Sequence, residues 1–293
     1  MKRRELLNLA VAAGATTALP HSVSVRADEP VTPPVLPALI DTNVSLFQWP
    51  FRRLPLDQPE LLVRKLRSLG VTQAWAGSFE AVLHRDMSAV NQRLADTCLR
   101  YPELLPIGSV NPKLPDWQHD LRQCVSRFHM PGIRLYPNYH GYTLNEPVVQ
   151  QLLEQASAAS CLVQIAASME DTRTQHPMLQ VSDVDLTPLT ELVPRIPQAR
   201  VQILNYRPRL PASAALAATA GICFDTARVD STDGVPALVR NSPPGRVLFG
   251  THAPFLIPEA ALIRVHESDQ LDATELKAVY AGNAQQLIKR SHA

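Results

Sequence analysis

Short apolar segments alternate with amphipathic segments along almost the whole chain, and this alternation restricts the fold more than any other feature. The apolar segments are rich in β-branched and aliphatic residues, which favours strands, and strands separated by helices form parallel sheets. Eight such units in 293 residues predict a single-domain α/β fold, a (β/α)8 TIM barrel, rather than an open sheet. The predicted strands are 38–46, 72–78, 104–110, 132–137, 161–167, 200–206, 221–227 and 246–251.

The amphipathic segments between the strands predict helices. In one of them Asp86 stands before Val90, Leu94 and Cys98, whose spacing of four residues places an apolar stripe along one face of a helix. Asp is also a favoured residue at a helix N-terminus. The predicted helices are 58–69, 86–101, 116–128, 147–159, 186–194, 211–219, 233–240, 258–266 and 273–290.

The composition disfavours several classes of protein. Hydrophobic residues make up 45% of the chain and the formal net charge is +1, so a large core is expected and nucleic acid is not an expected partner. Aromatic residues make up 5%, which also disfavours a platform for stacking bases. The cysteines form no Cys-x-x-Cys pair, so free core thiols are expected, and a disulfide between Cys98 and Cys124 is the alternative.

The N-terminus predicts an export signal. A twin-arginine start is followed by a weakly apolar run and by a small-x-small cleavage sequence at 25–27. We expect a twin-arginine (Tat) signal peptide over 1–27, a proline-rich extended lead-in over 28–37, and the barrel over 38–293, with the mature protein in the periplasm. An amphipathic leader or an uncleaved anchor is the alternative, although the apolar run is too short to span a membrane.

Polar residues follow the predicted strands, and in a barrel these positions meet at one mouth, where active sites form. The first strand alternates Asp41, Asn43 and Ser45. The fourth strand carries Arg134, and His252 follows the eighth. Further polar residues at strand ends are Asn111, Tyr136, His140, Ser168, Glu170, Asp171, Arg173, His176, Asn205, Arg207, Asp225 and Arg228.

Four short sequences carry a resemblance to a known family. They are Asp41-Thr42-Asn43-Val44-Ser45, Gly132-Ile133-Arg134-Leu135-Tyr136-Pro137, Phe249-Gly250-Thr251-His252-Ala253-Pro254-Phe255 and Ala281-Gly282-Asn283-Ala284. In this order the chain resembles the amidohydrolase superfamily, in the amidohydrolase-related (amidohydrolase 2) branch that includes metal-dependent decarboxylases and lactone hydrolases. The similarity extends over residues 39 to 288 and implies a metal-dependent hydrolase-like barrel.

The same resemblance implies a degenerate metal site. Family members carry Asp-x-His-x-His in the first strand, and the two His positions correspond to Asn43 and Ser45. The sixth-strand His position corresponds to Asn205, and the eighth-strand Asp corresponds to His252. Because zinc prefers His, Cys or carboxylate ligands, we expect no metal ligands and no cofactor.

A zinc ion in a rearranged site is the alternative. Its ligands would be His140, His176 and His252 with Asp171 or Glu170, all of which follow predicted strands. Histidines in loops are more often solvated or hydrogen-bonded than bound to a metal, which favours the metal-free site.

Without a metal, catalysis needs side chains that exchange protons near neutral pH. His252 is the predicted general acid or base, with Asp171 and His176 as helpers. A His252 bonded to a neighbouring carbonyl is the structural alternative. Arg134 is predicted to bind a substrate carboxylate, or else to pair with Asp41 or Asp171. The other predicted substrate-binding residues are Tyr136, His140, Asn43, Asn205 and Arg173.

These expectations lead to two hypotheses of function. The first is an amidohydrolase-related hydrolase or decarboxylase-like lyase, acting on a small carboxylated or carbonyl substrate without the usual zinc. The second is a catalytically inactive periplasmic barrel that binds a ligand or partner. Both expect a small molecule and no membrane span after signal cleavage. Family members often form dimers, so a homodimer is the expected assembly if the chain associates.

Overall fold

The strands form where the sequence predicts them. The computed structural model describes residues 38–208, 212–266 and 269–289. All eight predicted strands are present there, and the third is interrupted at Ile107 into two segments. The strands are β1 (Leu39–Leu46), β2 (Val71–Ser78), β3 (Leu104–Pro106), β4 (Gly108–Ser109), β5 (Gly132–Leu135), β6 (Leu162–Ala166), β7 (Val201–Leu204), β8 (Ile222–Asp225) and β9 (Val247–Leu248).

Hydrogen bonds join these strands into a closed barrel. All strand pairs are parallel and follow chain order, in one sheet from β1 to β3 and another from β4 to β9. The interrupted third strand connects the two sheets, since the main-chain N of Ile107 donates to the Ala76 carbonyl at 2.8 Å. At the other edge the main-chain N of Thr42 donates to the Phe249 carbonyl at 2.9 Å. The predicted TIM barrel is confirmed.

Helices alternate with the strands and contact them through their apolar faces. Each predicted helix is present with small shifts at its ends, and a short helix that was not predicted follows β5. The helices are α1 (Pro59–Ser68), α2 (Met87–Cys98), α3 (Trp117–Arg122), α4 (Pro137–His140), α5 (Pro147–Ala158), α6 (Leu189–Arg195), α7 (Ala212–Ala218), α8 (Gly234–Asn241), α9 (Pro258–His266), α10 (Ala273–Lys277) and α11 (Asn283–Lys289).

Helix α2 shows how the sequence determines these elements. Asp86 precedes the helix, and its side chain accepts a hydrogen bond from the main-chain N of Ala89 at 2.9 Å. Val90, Leu94 and Cys98 are buried, as their spacing predicts. An N-terminal cap and an apolar stripe therefore orient this helix against the barrel.

The cysteines are buried free thiols, which confirms the expectation from sequence. Cys98 and Cys161 illustrate the consequence, because burial raises the pKa of each thiol to about 12. These thiols are therefore protonated core groups at neutral pH.

The predicted signal peptide at 1–27 and lead-in at 28–37 lie outside the described residues. Within the ranges that are described, no helix has the length and apolar character needed to cross a membrane.

Candidate active site

A layer of polar side chains lies inside the barrel, near the carboxyl ends of the strands. Asp41, Asn43 and Ser45 of β1 are each at most 1% exposed, and the pairing of β1 with β2 is irregular between Asp41 and Val44. Asn205 follows β7, and Asp225 is the last residue of β8. This layer is the candidate active site, because ligands of a (β/α)8 barrel bind at this end.

Asn43 joins three strands of the barrel through its side-chain amide. Its Nδ2 donates to Asn205 Oδ1 at 2.8 Å and to Asp225 Oδ2 at 2.5 Å. The main-chain N of Asn205 donates to the other carboxylate oxygen, Asp225 Oδ1, at 3.0 Å. Gly250 permits this close approach, because a Cβ there would lie 2.9 Å from the Asp225 Cβ and 3.1 Å from the Asn43 Cβ.

Two carboxyl groups in the layer exchange protons near neutral pH. Burial raises the pKa of Asp225 to about 6, although hydrogen bonds from Asn205 and Asn43 oppose the shift. Burial likewise raises the pKa of Asp41 to about 7. Thr251 donates to Asp41 from its hydroxyl at 2.5 Å and from its main-chain N at 3.0 Å. Each carboxyl therefore holds a proton at a pH where an exposed carboxyl does not.

Arg134 is a buried cation that neutral groups hold in place. Its side chain is 1% exposed. Its Nε donates to Gln164 Oε1 at 2.9 Å, and its Nη1 donates to Ser45 Oγ at 3.0 Å and to the Val44 carbonyl at 3.1 Å. The guanidinium thus lies directly beside Ser45, one of the positions for which the resemblance described above implies a metal-binding His.

The surroundings of Arg134 bear on its predicted roles. Gly77 leaves room for the guanidinium, because a Cβ there would lie 2.8 Å from the Arg134 Cζ. The expected ion pair with Asp41 or Asp171 is wrong, since the acceptors around Arg134 are neutral oxygens. Binding of a substrate carboxylate by Arg134 stays a prediction, and it requires those oxygens to be displaced.

His252 is enclosed and neutral. It is 1% exposed, and its backbone adopts a left-handed conformation with φ of 57°. Its Nε2 donates to the Met169 carbonyl at 3.0 Å, while its buried Nδ1 has no partner among the described residues. Burial lowers the pKa of His252 to about 3. The carbonyl-bonded histidine that was the structural alternative is therefore observed, and Nδ1 presents a free acceptor.

The turn at 49–52 covers this part of the mouth. Trp49 is 2% exposed, and its ring meets Phe255 edge to face with centroids 5.2 Å apart. Phe255 also stacks on the imidazole ring of His252, with ring centroids 5.0 Å apart. Arg52 lies 4.8 Å from the centroid of Phe255 and forms an ion pair with the buried Glu170. Packed rings and one ion pair therefore close the mouth above β1 and β9.

The predicted helper residues lie at the outer rim. Asp171 pairs with Arg173 at 2.9 Å, and that arginine lowers the pKa of the carboxyl. His176 is exposed, and its ring stacks on Phe51 at 5.9 Å. In the described part of the chain no hydrogen bond or ion pair joins Asp171 or His176 to His252. The structure does not bring the three together, and their catalytic roles stay predictions.

Tyr136 and His140 donate to main-chain carbonyls. The Tyr136 hydroxyl donates to the Ser78 carbonyl at 3.2 Å, and His140 Nε2 donates to the Ala81 carbonyl at 2.9 Å. Burial lowers the pKa of His140. Both side chains therefore anchor the short helix α4 against the β2 loop, and their substrate-binding roles also stay predictions.

The described donor set does not fit a zinc ion. Asn205 Oδ1 and Asp225 Oδ2 already accept hydrogen bonds from the Asn43 amide, which presents donors where a metal site needs lone pairs. Among the residues with described positions, no three His, Cys, Asp or Glu side chains converge. His140 and His176, the other proposed ligands, have separate neighbours at the rim. The described residues do not assemble the rearranged zinc site.

Asp41 and Asp225 were predicted to lie at the mouth, but neither was predicted to be catalytic or to bind substrate. Both positions follow from the strand pattern, but their raised pKa values depend on complete burial, which the sequence does not reveal. The one signal in the sequence was Gly250 beside Thr251, because a glycine at a strand end permits close approach of its neighbours.

Comparison with known proteins identifies the family. The Amidohydrolase family model matches residues 45–290, and the chain therefore belongs to this family. No curated protein matches the sequence significantly. Membership of the family confirms the expected class, an enzyme of the hydrolase or lyase type.

Solved structures confirm the fold. A 2,6-dihydroxybenzoate decarboxylase from Rhizobium matches with a TM-score of 0.69 and 13% identity, covering 87% of this chain and 99% of that chain. The 5-carboxyvanillate decarboxylase LigW from Sphingomonas paucimobilis matches at 0.67 and 12% identity, covering 86% and 99%. A dihydroxybenzoic acid decarboxylase from Polaromonas sp. JS666, solved with manganese and 2-nitroresorcinol, matches at 0.67 and 13% identity, covering 88% and 98%.

Proposed function

We propose that this chain cleaves a small carboxylated or carbonyl substrate at the barrel mouth, as a decarboxylase-like lyase or a hydrolase that needs no metal. The observation that carries the proposal is the buried Asp225, whose pKa of about 6 suits proton transfer at neutral pH. Family membership and a fold shared with decarboxylases support the class of reaction.

Asp225 is the proposed acid and base. In a decarboxylation the bond between the carbon and its carboxylate breaks, CO2 leaves, and the electron pair remains on the carbon. That carbon must then take a proton, which a neutral carboxyl group supplies and later regains from water. Asn43 and Asn205 fix both oxygens of Asp225 for this transfer, so their predicted contribution is to orient the acid.

His252 has a different part from the one the sequence predicted. Its imidazole is neutral, and a pKa of about 3 makes it a weak base at neutral pH. Its free Nδ1 instead accepts a hydrogen bond from a substrate hydroxyl or amide in this proposal. Because Phe255 stacks on His252 and Trp49 packs against Phe255, these rings move in this proposal when a substrate enters.

We also propose that the protein acts in the periplasm after export through the twin-arginine route. The N-terminal sequence supports this location. A small-molecule substrate is the partner that the family supports, since solved relatives hold small aromatic ligands. Association as a homodimer is proposed on the resemblance to the family.

The experiment is an assay of CO2 release by the purified protein with 2,6-dihydroxybenzoate, 5-carboxyvanillate and simpler benzoates, after dialysis against a chelator. We expect turnover of at least one substrate that survives the chelator and is lost in Asp225→Asn. Arg67→Gln is the control, because Arg67 pairs with Glu103 at the surface. Turnover that requires added metal, or that persists in Asp225→Asn, contradicts the proposal.

The second candidate is a barrel that binds a ligand without catalysis. The complete burial of the polar layer favours this candidate. Asn43 already donates to Asp225, and Asp41 already accepts a hydrogen bond from Thr251. Tight binding of a benzoate without any product release over long incubation would support this candidate against the first.

A further inference from the structure

Two arginines stand together at the mouth, on the side of β7 and β8. Arg207 lies three residues beyond the end of β7, and Arg228 lies three residues beyond the end of β8. Because these strands are neighbours in a parallel sheet, the two segments leave the barrel side by side. The charge of Arg207 is close enough to contribute to a lowered pKa of Arg228, after the larger effect of burial.

Arg228 is buried without an ion pair. It is 9% exposed, and its Nη1 donates to the Met169 carbonyl at 3.4 Å. Within the described ranges, no carboxylate oxygen lies within 4.0 Å of its guanidinium. The acidic groups that act on it from a distance are Asp230, Asp183 and Asp171. A buried cation with one long hydrogen bond has donors to spare.

Arg207 is only partly satisfied. Its Nη2 donates to Asp183 at 3.1 Å and to the Ser168 hydroxyl at 3.3 Å. Its Nε is buried and has no partner in the part of the chain described. Asp183, the ion-pair partner of Arg207, also lines an open groove of about 550 Å³ beside α4, although neither arginine lines it.

We infer that Arg207 and Arg228 form a binding site for a small carboxylate. Two guanidinium groups with unused donors match the two oxygens of a carboxylate, and Asp183 neutralises only one of the two charges at ion-pair distance. The inference rests on the proposed function for the choice of a carboxylate. It assigns the anchoring of the substrate to these residues rather than to Arg134.

A structural role is the competing explanation for the same contacts. Arg207 and Arg228 also hold the segment at 168–169, through the Ser168 hydroxyl and the Met169 carbonyl. If the two arginines have only a structural role, they bind no anion. A measurement of direct carboxylate binding therefore separates the two explanations.

The test is calorimetric titration of the full chain with sodium benzoate at low ionic strength. We expect saturable binding, at least tenfold weaker in Arg228→Gln and in Arg207→Gln and unchanged in Arg67→Gln. Asp183→Asn should bind benzoate at least threefold more tightly, because it releases Arg207 from its carboxylate. Because the Asp183→Asn variant keeps both arginines, its tighter benzoate binding tests the site even if an arginine variant folds poorly.

The outcomes separate this site from the proposed function. Benzoate binding that depends on the arginines, without turnover of any substrate, keeps the site and removes the catalytic proposal. Turnover that is insensitive to Arg228→Gln keeps catalysis and overturns the site. No benzoate binding to the parent chain or to Asp183→Asn also overturns the site.

Discussion

The two sides of the barrel mouth satisfy their polar groups in opposite ways. On the sealed side, formed by Trp49, Arg134, His252 and Phe255, rings exclude water and the cation bonds to neutral oxygens. The charged side is formed by Arg207, Arg228, Asp183 and Asp171. Asp183 pairs with Arg207 and Asp171 pairs with Arg173, whereas Arg228 has no ion pair among the described residues. The Arg134 guanidinium already has its partners and gives a ligand little to bind, so recognition of a carboxylate is assigned to the charged side.

Removing the Arg134 side chain from the sealed side should cause the largest loss of stability. Arg134→Ala leaves Gln164 Oε1, Ser45 Oγ and two carbonyls without their donor and opens a cavity in the barrel. We expect the free energy of unfolding to fall by about 3–5 kcal/mol. Urea denaturation measures it, with Arg67→Ala as an exposed control that changes little. A loss below about 1 kcal/mol would mean that these contacts are weak.

Asp225→Asn should have the next largest effect on stability. Both oxygens of Asp225 accept hydrogen bonds, from the Asn43 amide and from the main-chain N of Asn205. An amide nitrogen therefore meets another donor in either orientation, at a cost of about 1–3 kcal/mol. Combining it with Asn43→Asp should restore part of the loss, because a carboxylate then faces an amide. Strictly additive losses in this double-mutant cycle would show that the two side chains do not interact.

Asp41 should make stability depend on pH. Its pKa is raised from 3.8 to about 7 in the folded protein, so the folded state holds a proton that the unfolded chain releases. This carboxyl therefore lowers stability as the pH rises from about 4 to about 7. Asp41→Asn should gain on the order of 1–3 kcal/mol relative to the parent between pH 4 and pH 8. Equal pH profiles from chemical denaturation would show that Asp41 is ionised throughout.

His176 should matter least to stability. It is exposed, and its contacts are a ring stack on Phe51 and a hydrogen bond from the main-chain N of Met178 at 3.2 Å. His176→Ala should change the free energy of unfolding by no more than about 0.5 kcal/mol. A thermal melt checks this, and a larger loss would show that the rim helps to hold the 49–52 turn.

The sequence predicted the barrel well because its signals are local. Strand and helix patterns, and the cap at Asp86, depend on residues a few positions apart. The positions of Asn43 and Asn205 in the mouth were predicted for the same reason, since both occur at strand ends. Local sequence patterns do not show how deeply a side chain is buried. Burial raises the pKa of Asp225 and keeps His252 neutral. Contacts between distant segments, such as Arg207 with Asp183, are equally invisible before folding.

The most direct test is the metal content of the purified mature protein, measured by inductively coupled plasma mass spectrometry after dialysis without chelator. A site built from Asn43, Asn205 and Asp225 as hydrogen-bonded partners should retain far less than one equivalent of zinc, manganese or other transition metal. Close to one equivalent of a single metal, lost in Asp225→Asn but kept in Arg67→Gln, would contradict the metal-free account of this barrel.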